Sequence, residues 1–327
     1  MKNIITQRAL GAIVLGLAFA GAGSAHADAY PDQPIRMIVP FPPGGGTDTV
    51  SRVIANELSK QNGWTVVPEN KAGSGGSLGL SLAAKARPDG YSIVMAQNAN
   101  MVINPILGKG NYDPVADFAP VALVASAPQV MVVRKDSPIA SVADLLAQAK
   151  ERPGKVRLAT PGVGTSSHLA GELFQQRSGI KLLHVPYKGT GQALPELLGG
   201  RVDVYIASVP SAMSHIQEGT LRPLAVFAKK RSADLADVPT LEELGVKDSE
   251  AVTWWGVAAP AGTPPAVIEL LNARINALLQ QERVQAQLKA AGAEALGGTA
   301  AEFAALVKSD VPKWTAVVKA AKLPVAP

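Results

Sequence analysis

"IRMIVPFPPGGGTDTVSRVIANELSK", residues 35–60, carries three signals in one stretch. Residues 35–39 are a short, nearly unbroken apolar run, which is how a strand covered on both faces reads. Gly44, Gly45 and Gly46 follow, and residues 49–60 then set Val50, Val53, Ile54 and Leu58 on one face of a helix. A strand turning through glycine into a helix is the unit of α/β architecture. It also makes an anion site. Glycine lets the backbone approach a ligand without a Cβ in the way, and the free N–H groups and dipole of the helix start favour negative charge. That dipole contributes about 0.3–1 kcal/mol when exposed. Asp48 is expected at the helix N-cap, bonding backbone N–H groups and holding the loop's shape.

The unit recurs. "AGSGGSLG" (72–79) leads into a helix over 78–86, and "TPGVGTSSH" (160–168) joins a strand over 156–160 to a helix over 168–176. "PYKGTGQA" (186–193) precedes a helix near 193–198. Further strands are expected at 66–67, 91–96, 182–185, 202–207 and 224–228, with a helix near 142–150. Residues 121–124 and 130–133 read as strands carrying the chain from one lobe to another, and 254–258 as the crossing back. Residues 266–322 are helical in pattern, with Val267, Leu270, Leu271, Ile275 and Leu278 on one face. The expected architecture is α/β with largely parallel sheets: an interrupted first lobe, a continuous second, and a helical tail returning to the first. Hinges fall near 125–129 and 250–256.

Several function classes are excluded or weakened by composition. Lys2 and Arg8, an apolar run from Leu10 to about Ala22 and then Ala25-His26-Ala27 read as a secretory leader cleaved after Ala27. No later stretch approaches the roughly 18 uncharged apolar residues of a membrane span. The chain has no cysteine, so an exported fold rests on packing and thiol catalysis is ruled out. The net charge of +5 includes Lys2 and Arg8, and the densest basic cluster, Lys229-Lys230-Arg231, has no aromatic beside it. Nucleic-acid binding would want a basic stripe.

The glycine loops are not nucleotide fingerprints. G-x-G-x-x-G fails at Thr49, Leu78, Ser167 and Leu194, and none of the loops ends in G-K-[ST]. No H-E-x-x-H appears, and Ser178-x-x-Lys181 lacks its companion motifs. His168 stands at a helix start, where it could cap, donate to a ligand or act as a base. A hydrolase pairing Ser166 or Ser167 with His168 is the competing reading, although adjacent residues at a helix start rarely aim at one another. His184 reads as a core or edge residue of its strand, and His215 as an exposed helix residue. Phe41, Tyr187, Tyr205 and Trp254-Trp255 are either packing residues or one wall of a ligand site. Loops of this kind in both lobes, at the strand-to-helix ends where open α/β sheets bind ligands, point to a cleft lined by anion-ready backbone.

The whole chain after residue 27 resembles the periplasmic receptors of the tripartite tricarboxylate transporter family, the Bug-type solute-binding proteins. The resemblance rests on "FPPGGGTD", "ENKAGSGGSLG", "ARPDGYS", "NPIL", "GTSSHLAGELF", "HVPYKGTG", "LLGGRVD", "LRPLAVFAKKR", "DVPTLEELG", "WWGVAAPAGTP" and "VPKWTAVVKAA", in that order. It implies a type II periplasmic-binding (Venus-flytrap) fold, with lobe 1 over 28–128 plus 251–327 and lobe 2 over 129–250. It also implies a monomer that binds a small carboxylate in the periplasm and delivers it to membrane permease subunits, with no cofactor, metal or reaction. A receptor presenting its ligand to a sensor protein is the alternative.

Carried over by position, first-lobe contacts fall to Phe41, Gly44, Gly45, Gly46, Thr47 and Asp48, to Ser74, Gly75, Gly76 and Ser77, and to Gln97, Asn98 and Asn100. Second-lobe contacts fall to Thr160, Gly164, Thr165, Ser166, Ser167 and His168, with Tyr187, Lys188, Ala207 and Ser208 nearby. Many relatives carry Asp where this chain has Ala207. Its loss disfavours a ligand amino group and favours dicarboxylates, including aromatic ones such as terephthalate.

Overall fold

The computed structural model describes residues 30–325, so the expected leader and its cleavage after Ala27 lie outside the described residues. Strand β1 (Ile35–Val39) runs through the glycine loop into helix α1 (Gly46–Asn62). The helix starts at Gly46 rather than at 49, because its first turn is built from the loop's own glycine and polar residues. Val50, Ile54 and Leu58 are fully buried. Each such side chain taken out of water contributes about 1.5–3 kcal/mol. Strand β2 (Val66–Asn70), helix α2 (Ser77–Ala84) and strand β3 (Ser92–Gln97) repeat the pattern, with β1 parallel to both neighbours. A π-helical turn, Ala99–Ile103, and the short helix α3 (Asn104–Ile106) follow β3.

The strands expected over 121–124 and 130–133 are one, β4 (Phe118–Arg134). Through Pro128 it pairs antiparallel with β9 (Val252–Pro260); from Gln129 it pairs with β7 (Val204–Ser208) and β8 (Leu221–Val226). The polar break at 125–129 is therefore a change of partners and not a loop. Gln129 N–H donates to Ala251 O, and Gln129 O accepts from Phe227 N–H, both at 2.9 Å. Ladder bonding thus continues across the junction. Beyond it lie α4 (Val142–Glu151), β5 (Arg157–Thr160), α5 (Ser166–Ser178), β6 (Leu183–Pro186), α6 (Thr190–Leu198) and α7 (Val209–Gln217).

The strand orders are β2-β1-β3-β9-β4 on one side and β8-β4-β7-β5-β6 on the other. Each sheet is parallel at its outer end and antiparallel where β4 and β9 join, since a chain that leaves a sheet and returns must run both ways. This is the two-lobed α/β periplasmic-binding architecture. The carboxyl ends of β1 and β3 face those of β5 and β7.

The tail is not one helical run. It comprises α8 (Pro265–Leu279), α9 (Glu282–Ala290), a two-residue strand β10 (Glu294–Ala295) paired with β4, and α10 (Ala300–Ala320). Nor does it return only to the first lobe. Phe303 of α10 meets Trp254 of β9 edge-on at 5.4 Å, while Val317 O accepts from Gln176 Nε2 of α5 at 3.3 Å. Phe303, Val307, Trp314, Val317 and Val318 thereby join residues of both sheets in one continuous apolar cluster.

Candidate functional site

Where the two sets of strand ends face each other, a partly open cavity of about 40 Å³ lies between the lobes. The first lobe supplies Phe41, Pro42, Gly45, Gly46, Thr47 and Gln97, and the crossing strand β9 supplies Thr253 and Trp255. The second supplies Pro161, Thr165, Ser166, Ser167, Gly189, Thr190, Ser208 and Ser211. Among the described residues, no charged side chain lines it.

Its polar groups are held in fixed directions. The Thr47 hydroxyl accepts from Gln97 Nε2 at 2.9 Å and from Trp255 Nε1 at 3.0 Å. A hydroxyl has two acceptor lone pairs and one proton, so Thr47 keeps its proton to donate. Trp255 reaches this point because strand alternation turns it to the cavity, while Trp254 points the other way and donates to Asp310 at 2.8 Å. On the opposite wall Thr165 caps α5 by accepting from His168 N–H at 3.2 Å. Ser166 Oγ donates to Asn98 Oδ1 at 2.7 Å, and Ser167 Oγ to Gln129 Oε1 at 2.8 Å.

The lobes meet closely. Gly46 N–H donates to Ser211 Oγ at 2.9 Å, and a Cβ added at Gly46 would stand 2.6 Å from Ser208 Oγ. Gly189, with φ +105°, presses its bare Cα on Pro42, where a Cβ would sit 2.5 Å from Cγ. Both glycines are required by this approach.

Asp48 braces the loop from another position than expected. The N-cap of α1 is Gly45, and Asp48 lies in the first turn, reaching back to accept from Gly44 N–H at 3.0 Å. It also accepts from Arg52 Nε and Asn70 Nδ2, both at 2.9 Å. Burial pushes its pKa up, but hydrogen bonds from Arg52, Asn70 and Gly44 outweigh that and hold it below the ordinary value. With both oxygens occupied, the carboxylate stays out of the cavity.

His168 is also turned away. Its ring stacks on His184 at 4.3 Å, and Thr160 Oγ1 meets His184 Nε2 at 2.7 Å. Burial first, then His184 and Lys109, lower the pKa of His168 to about 3, and burial lowers that of His184 to about 4. Both rings are neutral at neutral pH. Neither Ser166 nor Ser167 is hydrogen-bonded to His168, so the pairing a hydrolase would need is not formed.

The remaining expected residues separate by depth. Phe41, Ser74, Gly75, Gly76, Tyr187 and Lys188 line a wider outer cleft of about 780 Å³, which shares Phe41, Pro42, Pro161 and Gly189 with the inner cavity. Asn98, Asn100, Ser77, Thr160, Gly164 and Ala207 stand behind the walls. Asn98 Nδ2 ties the first lobe to Val252 O at 2.8 Å, and Asn100 Oδ1 accepts from Gln97 N–H at 3.0 Å. Ala207 is wholly buried in β7, opposite Val130, so it forms core and does not line the cavity.

Sequence reasoning passed over Pro42, Pro161, Thr190, Ser211, Thr253 and Lys109. Ser211 lies in the first turn of α7, which follows β7 directly through Pro210. It is the same strand-to-helix device without glycine, and a search for strand ends rather than for glycines would have found it.

Fold and cleft together define a two-lobed solute-binding protein. The family model "Tripartite tricarboxylate transporter family receptor" matches residues 50–323, and the chain belongs to that family. Protein BugT of Bordetella pertussis (strain Tohama I) is 39% identical, the match covering 94% of this chain and 95% of BugT. The solved structure of R. palustris Rpa4515 with adipate superposes with a TM-score of 0.87 at 34% identity, over 90% of this chain and 98% of that one. The periplasmic binding protein BugD gives a TM-score of 0.85 at 37% identity, over 90% and 99%. These are binding proteins rather than enzymes, and membership implies a periplasmic receptor.

Proposed function

We propose that the protein captures a small dicarboxylate between its lobes and hands it, unchanged, to the permease subunits of a tripartite transporter. It acts as a monomer in the periplasm, after removal of residues 1–27. The lobes are taken as 28–128 with 251–327, and 129–250. The carrying observation is the inner cavity, whose polar lining is uncharged and comes mostly from strand-to-helix ends, and in which Thr47 keeps a proton to give. A carboxylate is the anion such a wall suits: hydroxyl and backbone donors satisfy its oxygens, and no basic side chain favours the higher charge of a phosphate. Adipate in the R. palustris relative supports the ligand class. Aromatic dicarboxylates such as terephthalate fit the same reading, with Phe41 and Trp255 as walls.

A thermal-shift screen of mono-, di- and tricarboxylates tests it. A true ligand at 100 times its Kd adds about 2.7 kcal/mol of stability. No stabilisation by any carboxylate at saturating concentration would sink the reading.

A further inference from the structure

Among the described residues the inner cavity has no cation for a second carboxylate, and His168, which follows the lining residue Ser167, is neutral and turned into the core. The cations lie in the outer cleft. Lys109 and Lys188 stand on opposite lobes along its walls, and the passage joining cleft to cavity is bounded by Phe41, Pro42, Pro161 and Gly189. The side chains there are apolar and Gly189 has none, while the Gly189 N–H is spent on Pro161 O at 2.9 Å.

Lys109 is the better placed of the two. It sits between Gly108 and Gly110, both at positive φ, and its backbone N–H is fixed to Asn104 O at 2.8 Å. Lys109 is half-buried as a residue, and its ammonium reaches across the cleft to Val163 O at 3.5 Å, a long, exposed contact with a neutral acceptor. Among the described residues it forms no ion pair. Burial lowers its pKa without a carboxylate to offset the cost. Lys188 is exposed, so water and salt screen it.

We propose that Lys109 binds the distal carboxylate of the ligand, making this a receptor for acids with a carboxylate at each end and a hydrocarbon spacer between. The inner cavity takes the first carboxylate, the apolar passage takes the spacer, and Lys109 exchanges its weak bond to Val163 O for a charge-assisted one. This rests on the carboxylate-receptor reading above and adds the residue that meets the ligand's second carboxylate.

The test is calorimetric titration of the full-length mature protein with matched pairs: adipate against hexanoate, and terephthalate against para-toluate. The wild type is expected to prefer the diacid of at least one pair by 10-fold or more. Lys109→Gln should weaken that diacid about 10-fold or more and change the monoacid less than two-fold, while Lys109→Arg restores the preference. Equal loss of both acids in Lys109→Gln, or an unchanged preference, overturns the assignment of Lys109 and leaves the carboxylate receptor standing. A wild type that binds monoacid and diacid alike also overturns it. A wild type that binds none of the four acids overturns the assignment of Lys109, and the receptor reading falls with it only if the wider carboxylate screen is also empty.

Discussion

Gly46 and Gly45 are neighbours with different burdens. A Cβ at Gly45 meets Thr190 Oγ1 at 3.6 Å, an ordinary contact, whereas at Gly46 it meets Ser208 Oγ at 2.6 Å. Gly46→Val is therefore expected to keep its circular dichroism spectrum and lose ligand-induced thermal stabilisation. Gly45→Val should retain most of that stabilisation, and equal loss in both would contradict the geometry. The His168–His184 pair makes a second prediction at this scale. Both pKa values are lowered from 6.5, to about 3 and about 4, so below pH 6.5 the unfolded chain binds protons that the folded one refuses. Stability should fall as pH drops from 6.5 toward 4 and be flat with respect to this pair above 6.5. Melting temperatures of wild type and His168→Gln/His184→Gln across that window should show a shallower acid slope in the variant. At this scale the sequence was legible where glycine announced a loop, as at Gly44, Gly45 and Gly46. It was opaque where side-chain direction decided: Asp48, His168 and Ala207 are on the right segments yet face elsewhere, and Lys109 gives no local signal at all.

Among the elements, the strand-to-helix units could be read almost to their ends, because apolar period and glycine punctuation agree there. The β4 strand could not. Ala125–Ser126–Ala127 looks like an interruption in composition, but small residues suit the place where a strand passes from one set of partners to another. Helix α10 was legible as a helix and misplaced in space, since its apolar face says that it packs and not on what. Phe303 is buried beneath it against Trp254, and Gly256 leaves room for the ring: a Cβ there would lie 2.6 Å from Phe303 Cζ. Phe303→Ala should cost about 3–5 kcal/mol, the usual range for emptying a buried aromatic site. Chemical denaturation would show this as a lower midpoint, and a loss below 1 kcal/mol would mean that α10 is not held there.

For the molecule as a whole, two lobes and two crossings were legible, because a break in texture and a return are visible along the chain. How tightly the lobes are joined was not. Cavity and cleft lie on the side where the lobes open, and a ligand can favour closure only by binding the closed form better. The lobes also share one apolar cluster, in which α10 links Trp254 of β9 to Phe174 and Leu173 of α5. Heat should accordingly melt both lobes together. Calorimetry is expected to give a single endotherm, with the van't Hoff and calorimetric enthalpies equal. With α10 packed on both lobes, neither half is expected to have a folding life of its own.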